Sequence, residues 1–267
     1  MYILLVCIAF VILLYIWSVM GRKKGLMKPF YGFLYAHRGL HDEEKPENSM
    51  AAFRAALDHG YGIELDIHLL SDGNLAVIHD SSLERVTGQT GFVEELTTQQ
   101  LVDYRLNGTQ ETIPQFQQVL DLFAGKAPLI VELKVHENNV APLCEAACAM
   151  LDRYEGLYCV ESFDPRVVRW LRNNRPDIAR GQLTENWMPK KLPYPAILKW
   201  MMTHHLVNFF TRPDFLAYKF EDRKTFSNWF CRKVLRIPCV SWTLKSRYQF
   251  ETAVKEGWIP IFEGFRI

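Results

Sequence analysis

Apolar and polar positions fall into two regimes along this chain. Residues 2–20, YILLVCIAFVILLYIWSVM, carry no charge at all. From residue 33 onward, short apolar runs alternate with stretches of helical spacing, and neither a Gly/Ser- or Pro-rich linker nor an internal repeat divides them. The short runs predict strands at 33–37, 62–68, 75–79, 128–133, 157–161, 179–183, 214–218, 238–242 and 259–262. Amphipathic helices are predicted between them, near 97–106, 115–123, 140–153, 165–174 and 246–256. The clearest runs from Ser49 to His59, with Met50, Phe53 and Leu57 on one face, Asn48 or Ser49 as N-cap and Gly60 as its stop.

Nine strands are one too many for an eightfold barrel. The segments at 62–69 and 75–79 are joined by LSDGN, and Asp-Gly is a hairpin signal. So tight a turn makes only an antiparallel pair, because parallel strands need a crossover of about a dozen residues. The 75–79 run is therefore a hairpin arm on the second strand. Eight strands with helical crossovers remain, and the 267-residue length suits an α/β fold of the (β/α)8 TIM-barrel type. An open doubly wound sheet would want a Gly-rich phosphate turn after its first strand, and none is there. Polar, turn-rich sequence at 80–127 predicts a small excursion, so that about 69–127 forms an insertion after strand 2.

As a helix, the uncharged 2–20 segment would cover nearly 30 Å, about the hydrocarbon thickness of a bilayer. A cleaved signal peptide has its positive charge in front of the apolar run; here GRKKGLMK follows it. The expected organisation is a transmembrane anchor over 2–20, a basic juxtamembrane segment over 21–30 and a barrel over 31–267. Arg22, Lys23 and Lys24 place the barrel in the cytoplasm by the positive-inside rule. Six cysteines without CxxC or regular spacing read as reduced thiols, in keeping with that compartment. The 184–213 interval mixes Trp, Met and Phe with Lys and His, which suits either a barrel helix with its loops or a segment dipping into a membrane surface. With 31 basic against 30 acidic residues and a net charge of +1, nothing global points to nucleic acid as partner. Oligomeric state is not legible.

Chemistry in such barrels sits where strands end. His37 and Arg38 end the first strand, Glu64 and Asp66 lie near the end of the second, His79 ends the hairpin arm, and Glu132 and Lys134 end the third barrel strand. Period-two geometry turns Ile63, Leu65 and Ile67 to the helices and Glu64 and Asp66 into the barrel. Glu64, Asp66 and Glu132 together form a hard oxygen site suited to one divalent cation, Ca²⁺ or Mg²⁺. Arg38 and Lys134 add positive charge at the same rim, so the expected ligand is an oxyanion, most simply phosphate. His37 and His79, from different strands, are placed to move protons on phosphoester oxygens.

In order and spacing, HRG (37–39), PENS (46–49), ELD (64–66), HD (79–80), ELK (132–134), SFDP (162–165) and WT (242–243) resemble the glycerophosphodiester phosphodiesterase family, from about residue 33 to the C-terminus. The resemblance implies a TIM barrel with a small insertion after the second strand and hydrolysis of glycerophosphodiesters to glycerol 3-phosphate and an alcohol. It implies His37 and His79 as the acid–base pair, Glu64, Asp66 and Glu132 as metal ligands, and Arg38 and Lys134 as phosphate contacts. It also implies a route through a cyclic intermediate formed by the neighbouring glycerol hydroxyl. The chain departs from the family pattern at Phe262-Glu263, where Thr-Asp is usual, at Leu244-Lys245 after WT, and at His68, where Gln is common.

Three other functions remain compatible with these residues. One is lysophospholipase D-like activity on lipids that keep an acyl chain, suggested by the anchor and the aromatic interval. Another is a metal-independent, phospholipase C-like cyclase, against which the three acidic positions speak. The last is a non-catalytic, membrane-tethered binding barrel, against which the complete set of acid–base and acidic residues speaks.

Overall fold

The computed structural model describes residues 1–22 and 25–267; Lys23 and Lys24, two of the residues used above to orient the anchor, lie outside the described residues. Eight parallel strands close into a barrel: β1 (Tyr35–His37), β2 (Gly62–Leu69), β4 (Leu129–Leu133), β5 (Tyr158–Ser162), β6 (Arg180–Thr184), β7 (Phe215–Lys219), β8 (Cys239–Leu244) and β9 (Ile259–Phe262). Closure comes from β1, which pairs with both β2 and β9. The ninth strand, β3 (Leu75–Val77), is antiparallel to β2. Its turn is the predicted one: Leu70 N donates to Asn74 O at 2.8 Å, and Gly73 takes the left-handed φ of 84° that the turn requires.

Strand parity sorts the core into two shells. Ile63, Leu65, Ile67, Leu129, Val131 and Val160 point outward into the layer between strands and helices. Tyr35, Ile130, Cys159, Phe215, Val240 and Ile259 point inward and fill the lower barrel. Met27 and Phe30, each about 1% exposed, pack into that inner cluster. The end of the predicted juxtamembrane segment is therefore a plug for the barrel floor. The 80–127 excursion has its own small core, including Leu83, Val93, Leu101 and Ile113, and the helix predicted at 97–106 is a 3-10 segment, Thr98–Asp103.

Helix α1 (Tyr2–Val19) is long and apolar enough to cross a membrane, and only its last turns pack on the barrel. Val19 is buried, Asn208 donates to its carbonyl at 2.8 Å, and Arg212 lies over the Trp17 ring. Arg22 then pairs with Asp214 at 2.7 Å. Helix α2 (Met50–Asp58) is capped by Ser49, whose Oγ accepts from Ala52 N at 3.1 Å. Asn48 does not cap; it turns to the barrel interior. All six cysteines are free, five of them buried.

Candidate active site

The inward parity that fills the lower barrel with apolar side chains delivers polar ones at the mouth. Register partners are His37 with Glu64, Asp66 with Glu132, and Glu132 with Glu161, so β1, β2, β4 and β5 make one continuous polar half. The opposite half is apolar: Phe163, Leu183, Trp242 and Ile261 line the same pocket as His37, Arg38, Glu64, His79, Glu132 and Glu161. All seven residues singled out by the sequence thus converge at one end of the barrel.

The two imidazoles are held alike. His37 Nδ1 lies 2.5 Å from Glu263 Oε2, and His79 Nδ1 lies 2.6 Å from Asp80 Oδ1. A carboxylate only accepts, so each Nδ1 donates and each Nε2 is left with its lone pair free. His37 Nε2 is 3.8 Å from Glu64 Oε2. Burial pushes the His37 imidazole down, with the Glu263 bond opposing, and burial takes His79 to about 4. Glu263, bonded to His37, is held at about 2.

Asp80 and Glu47 are clamped from behind. Arg85 contacts both, and Glu47 also accepts from Arg38 Nη1 at 2.9 Å. Arg38 Nε is 3.3 Å from Asp66 Oδ2. Its guanidinium therefore braces a carboxylate on either side. Gly39, with φ of 83°, is required just after it, because a Cβ would lie 2.9 Å from the Ala52 backbone of α2.

Glu64, Asp66 and Glu132 each offer an oxygen within 4.8 Å of the others, and all three are buried. Burial and the neighbouring carboxyls push Glu64 well above the usual range, and burial takes Glu132 to about 7. Burial would raise Asp66 as well, but Lys134, His79 and Arg38 hold it well below. Lys134 Nζ sits 3.0 Å from Asp66 Oδ1 and 2.8 Å from Glu132 Oε2. Even so, the enclosed Asp66 Oδ1 has no donor aligned on it. Asn48 Nδ2 donates to the other oxygen, Oδ2, at 2.9 Å, so of the two N-cap candidates Ser49 caps α2 and Asn48 faces the site. His68 is buried behind His79, with Nδ1 2.6 Å from Glu94 and Nε2 3.2 Å from the His79 carbonyl.

Residues 37–262 match the Glycerophosphoryl diester phosphodiesterase family. The chain belongs to this family. Among its curated relatives, a glycerophosphodiester phosphodiesterase of Bacillus altitudinis is 38% identical over 39% of this chain and 45% of its own length. One of Caldanaerobacter subterraneus is 37% identical over 55% of this chain and 65% of its own. The chain spans less than two thirds of either relative. A solved phosphodiesterase of Oleispira antarctica, in complex with the product sn-glycerol-3-phosphate, has the same fold, with TM-score 0.72 and 20% identity over 88% of this chain and 94% of that one.

In this member of the glycerophosphoryl diester phosphodiesterase family, three site residues escape sequence reading. Glu263 is visible only as a departure from Thr-Asp; that it meets His37, 226 positions away, depends on closure of β9 onto β1. Asp80 is read as part of an HD pair without a task. Glu161 ends the predicted strand LYCVE, and its one signal is a charge at an inward position. Burial and the Glu132 and Asp66 carboxyls push it well above the usual carboxylate range.

Proposed function

We propose that this protein hydrolyses glycerophosphodiesters to glycerol 3-phosphate and an alcohol, with one divalent cation, Ca²⁺ or Mg²⁺, on Glu64, Asp66 and Glu132. The observation carrying this reading is that two imidazoles from different strands, each tied at Nδ1 to a carboxylate, line one pocket beside three clustered carboxyls, two of which share its wall. The donor set fits a hard cation: it is all oxygen, buried, crowded enough that burial and the neighbouring carboxyls push Glu64 well above the usual carboxylate range, and holds one oxygen with no aligned donor. Bound there, a cation neutralises the carboxylates and stabilises negative charge on a phosphate oxygen.

The side chains supply the rest. Lys134 and Arg38 add positive charge beside the carboxylates and orient the phosphate. Because Glu263 and Asp80 occupy the Nδ1 edges, protons move at Nε2 of His37 and His79. One imidazole takes a proton from the attacking hydroxyl and the other gives one to the leaving oxygen. Burial favours the neutral ring that acts as base, while the ring that acts as acid does so as imidazolium, carrying a second proton at Nε2 with its charge offset by the carboxylate at Nδ1. The glycerol hydroxyl next to phosphorus as nucleophile comes from the family resemblance. The apolar half of the pocket and α1 favour a second reading, lysophospholipase D-like action on lipids that keep an acyl chain. On that reading α1 anchors the protein in the membrane, with exposed Trp17, Phe226 and Trp229 near its base at the headgroup level.

The full chain in detergent is the material for the test, with glycerophosphoethanolamine and a lysophospholipid as substrates and chelator present or absent. Release of glycerol 3-phosphate, abolished by chelator and restored by Mg²⁺ or Ca²⁺, is expected. His37→Ala and His79→Ala should each cut turnover by about 10²–10⁴ while the barrel stays folded. Activity that survives both chelator and Glu64→Ala overturns the cation site. No hydrolysis of either substrate with metal supplied overturns the enzymatic reading in favour of a binding barrel.

A further inference from the structure

Glu161 is the one acidic side chain of the pocket with no task in the proposed chemistry. It is 2% exposed, and its Oε2 is enclosed without a hydrogen-bond partner. A buried carboxyl oxygen left unpaired is costly, so a position that tolerates it calls for a partner from outside the fold. Its neighbours offer none. On one side its register partner is Glu132, which already faces Lys134. On the other its register partner is Gly181, which brings no side chain and lies against the Phe215 ring. Above it, Phe163 stands edge-on to Trp242 with ring centres 5.6 Å apart. Glu161 thus sits where the polar half of the mouth meets the apolar half, opening on the same cavity as the two histidines. It is absent from the tight three-carboxyl cluster, so it is not a fourth member of that set.

We propose that Glu161 forms a hydroxyl-binding subsite for the terminal hydroxyl of a glycerol unit whose phosphate lies against Arg38 and Lys134. This rests on the phosphodiester reading and names the part of the substrate that the reading leaves unplaced. The chemistry follows from the neighbours. A second phosphate oxygen is excluded beside Glu132, and an alkyl group would leave Oε2 unpaired. A hydroxyl suits either form of the carboxyl, donating to a carboxylate or accepting from an acid. The β4 and β5 strands stand about 4.8 Å apart, a gap that a three-carbon unit bridges from the phosphate side. The hydroxyl next to phosphorus stays with the histidines, and the other alcohol of the diester falls to the Phe163–Leu183–Trp242 wall. A pocket built to bond a hydroxyl rejects the analogue that lacks it far more strongly than an apolar pocket rejects one methylene.

Binding, rather than turnover, tests this independently of catalysis. The full chain in detergent, with Mg²⁺ or Ca²⁺ supplied, is titrated calorimetrically with sn-glycerol 3-phosphate, with propane-1,2-diol 1-phosphate, which lacks only the terminal hydroxyl, and with inorganic phosphate. Wild type is expected to bind glycerol 3-phosphate about tenfold or more tighter than the diol phosphate. Glu161→Met should erase that preference by weakening glycerol 3-phosphate alone, whereas Glu161→Gln, which keeps an oxygen and a donor, should stay within about threefold of wild type. Equal affinity of wild type for the two organic phosphates, or no binding of either, overturns the subsite whatever the variants do. Equal loss of all three probes in a folded Glu161→Met overturns it too, by showing a role in the phosphate site. Failure to hydrolyse any diester alongside an intact preference for glycerol 3-phosphate would sink the proposed activity and leave the subsite standing.

Discussion

His37 shows what one residue needs from its surroundings before it becomes a tool. The imidazole is poised because Glu263 fixes its Nδ1 proton and burial keeps it neutral. Truncating Glu263→Ala frees the ring to rotate and to exchange tautomers, so steady-state kinetics should show kcat down by about 10²-fold with KM within about twofold. A matching rise in KM together with a fall in thermal stability would mean that Glu263 only holds the barrel closed. The histidines, Arg38, Lys134 and the three acidic residues were legible because strand parity is readable in a sequence: ELD and ELK at strand ends leave little doubt about which face their carboxyls take. Glu263 and Glu161 were not, because a partner's identity depends on register across the barrel. Asn48 and Ser49 are equal cap candidates in the sequence, and the structure separates them: Ser49 caps α2, while Asn48, with a positive φ of 55°, donates to Asp66.

Elements were more legible than their partners. The hairpin, the eight barrel strands and α2 follow from apolar periodicity and turn chemistry, and their observed limits fall within a residue or two of the reading. The 97–106 stretch tightened into a 3-10 segment because its anchoring comes from the excursion's small core rather than from an apolar helical stripe. Ser49 gives a direct test of α2. Ser49→Ala removes the bond to Ala52 N and should lower unfolding free energy by about 1 kcal/mol in urea titrations, without a change in slope. The floor plug is a larger matter: Phe30→Ala should cost about 3–5 kcal/mol, since its ring sits in the inner cluster with Tyr35 and Ile259. A loss below about 1 kcal/mol would show that residues 27–30 rest on the barrel instead of sealing it.

At the scale of the whole molecule, charge buried at the mouth ties stability to solution conditions. A cation held at the proposed site of Glu64, Asp66 and Glu132 would bind only the folded state, so 100-fold excess over its Kd should add about 2.7 kcal/mol, read as a rise in melting temperature that Glu132→Ala abolishes. Acid acts elsewhere as well. His205, fully buried against Tyr218 and bonded to Asn228, is pushed down to about 4 by burial. Unfolded His takes up its proton near 6.5, so this residue costs no stability above that pH. Between 6.5 and about 4 the unfolded state binds the extra proton, and stability should fall by roughly 3 kcal/mol. Urea midpoints measured across that window should decline less steeply in His205→Gln. The closure of β9 onto β1 has a consequence for synthesis as well as for shape. Because His37 leaves the ribosome 226 residues ahead of Glu263, a growing chain can pair its early strands while its mouth is still unfinished. The polar mouth is completed only when β9 joins β1, and a chain cut short before that strand leaves His37 without its carboxylate partner.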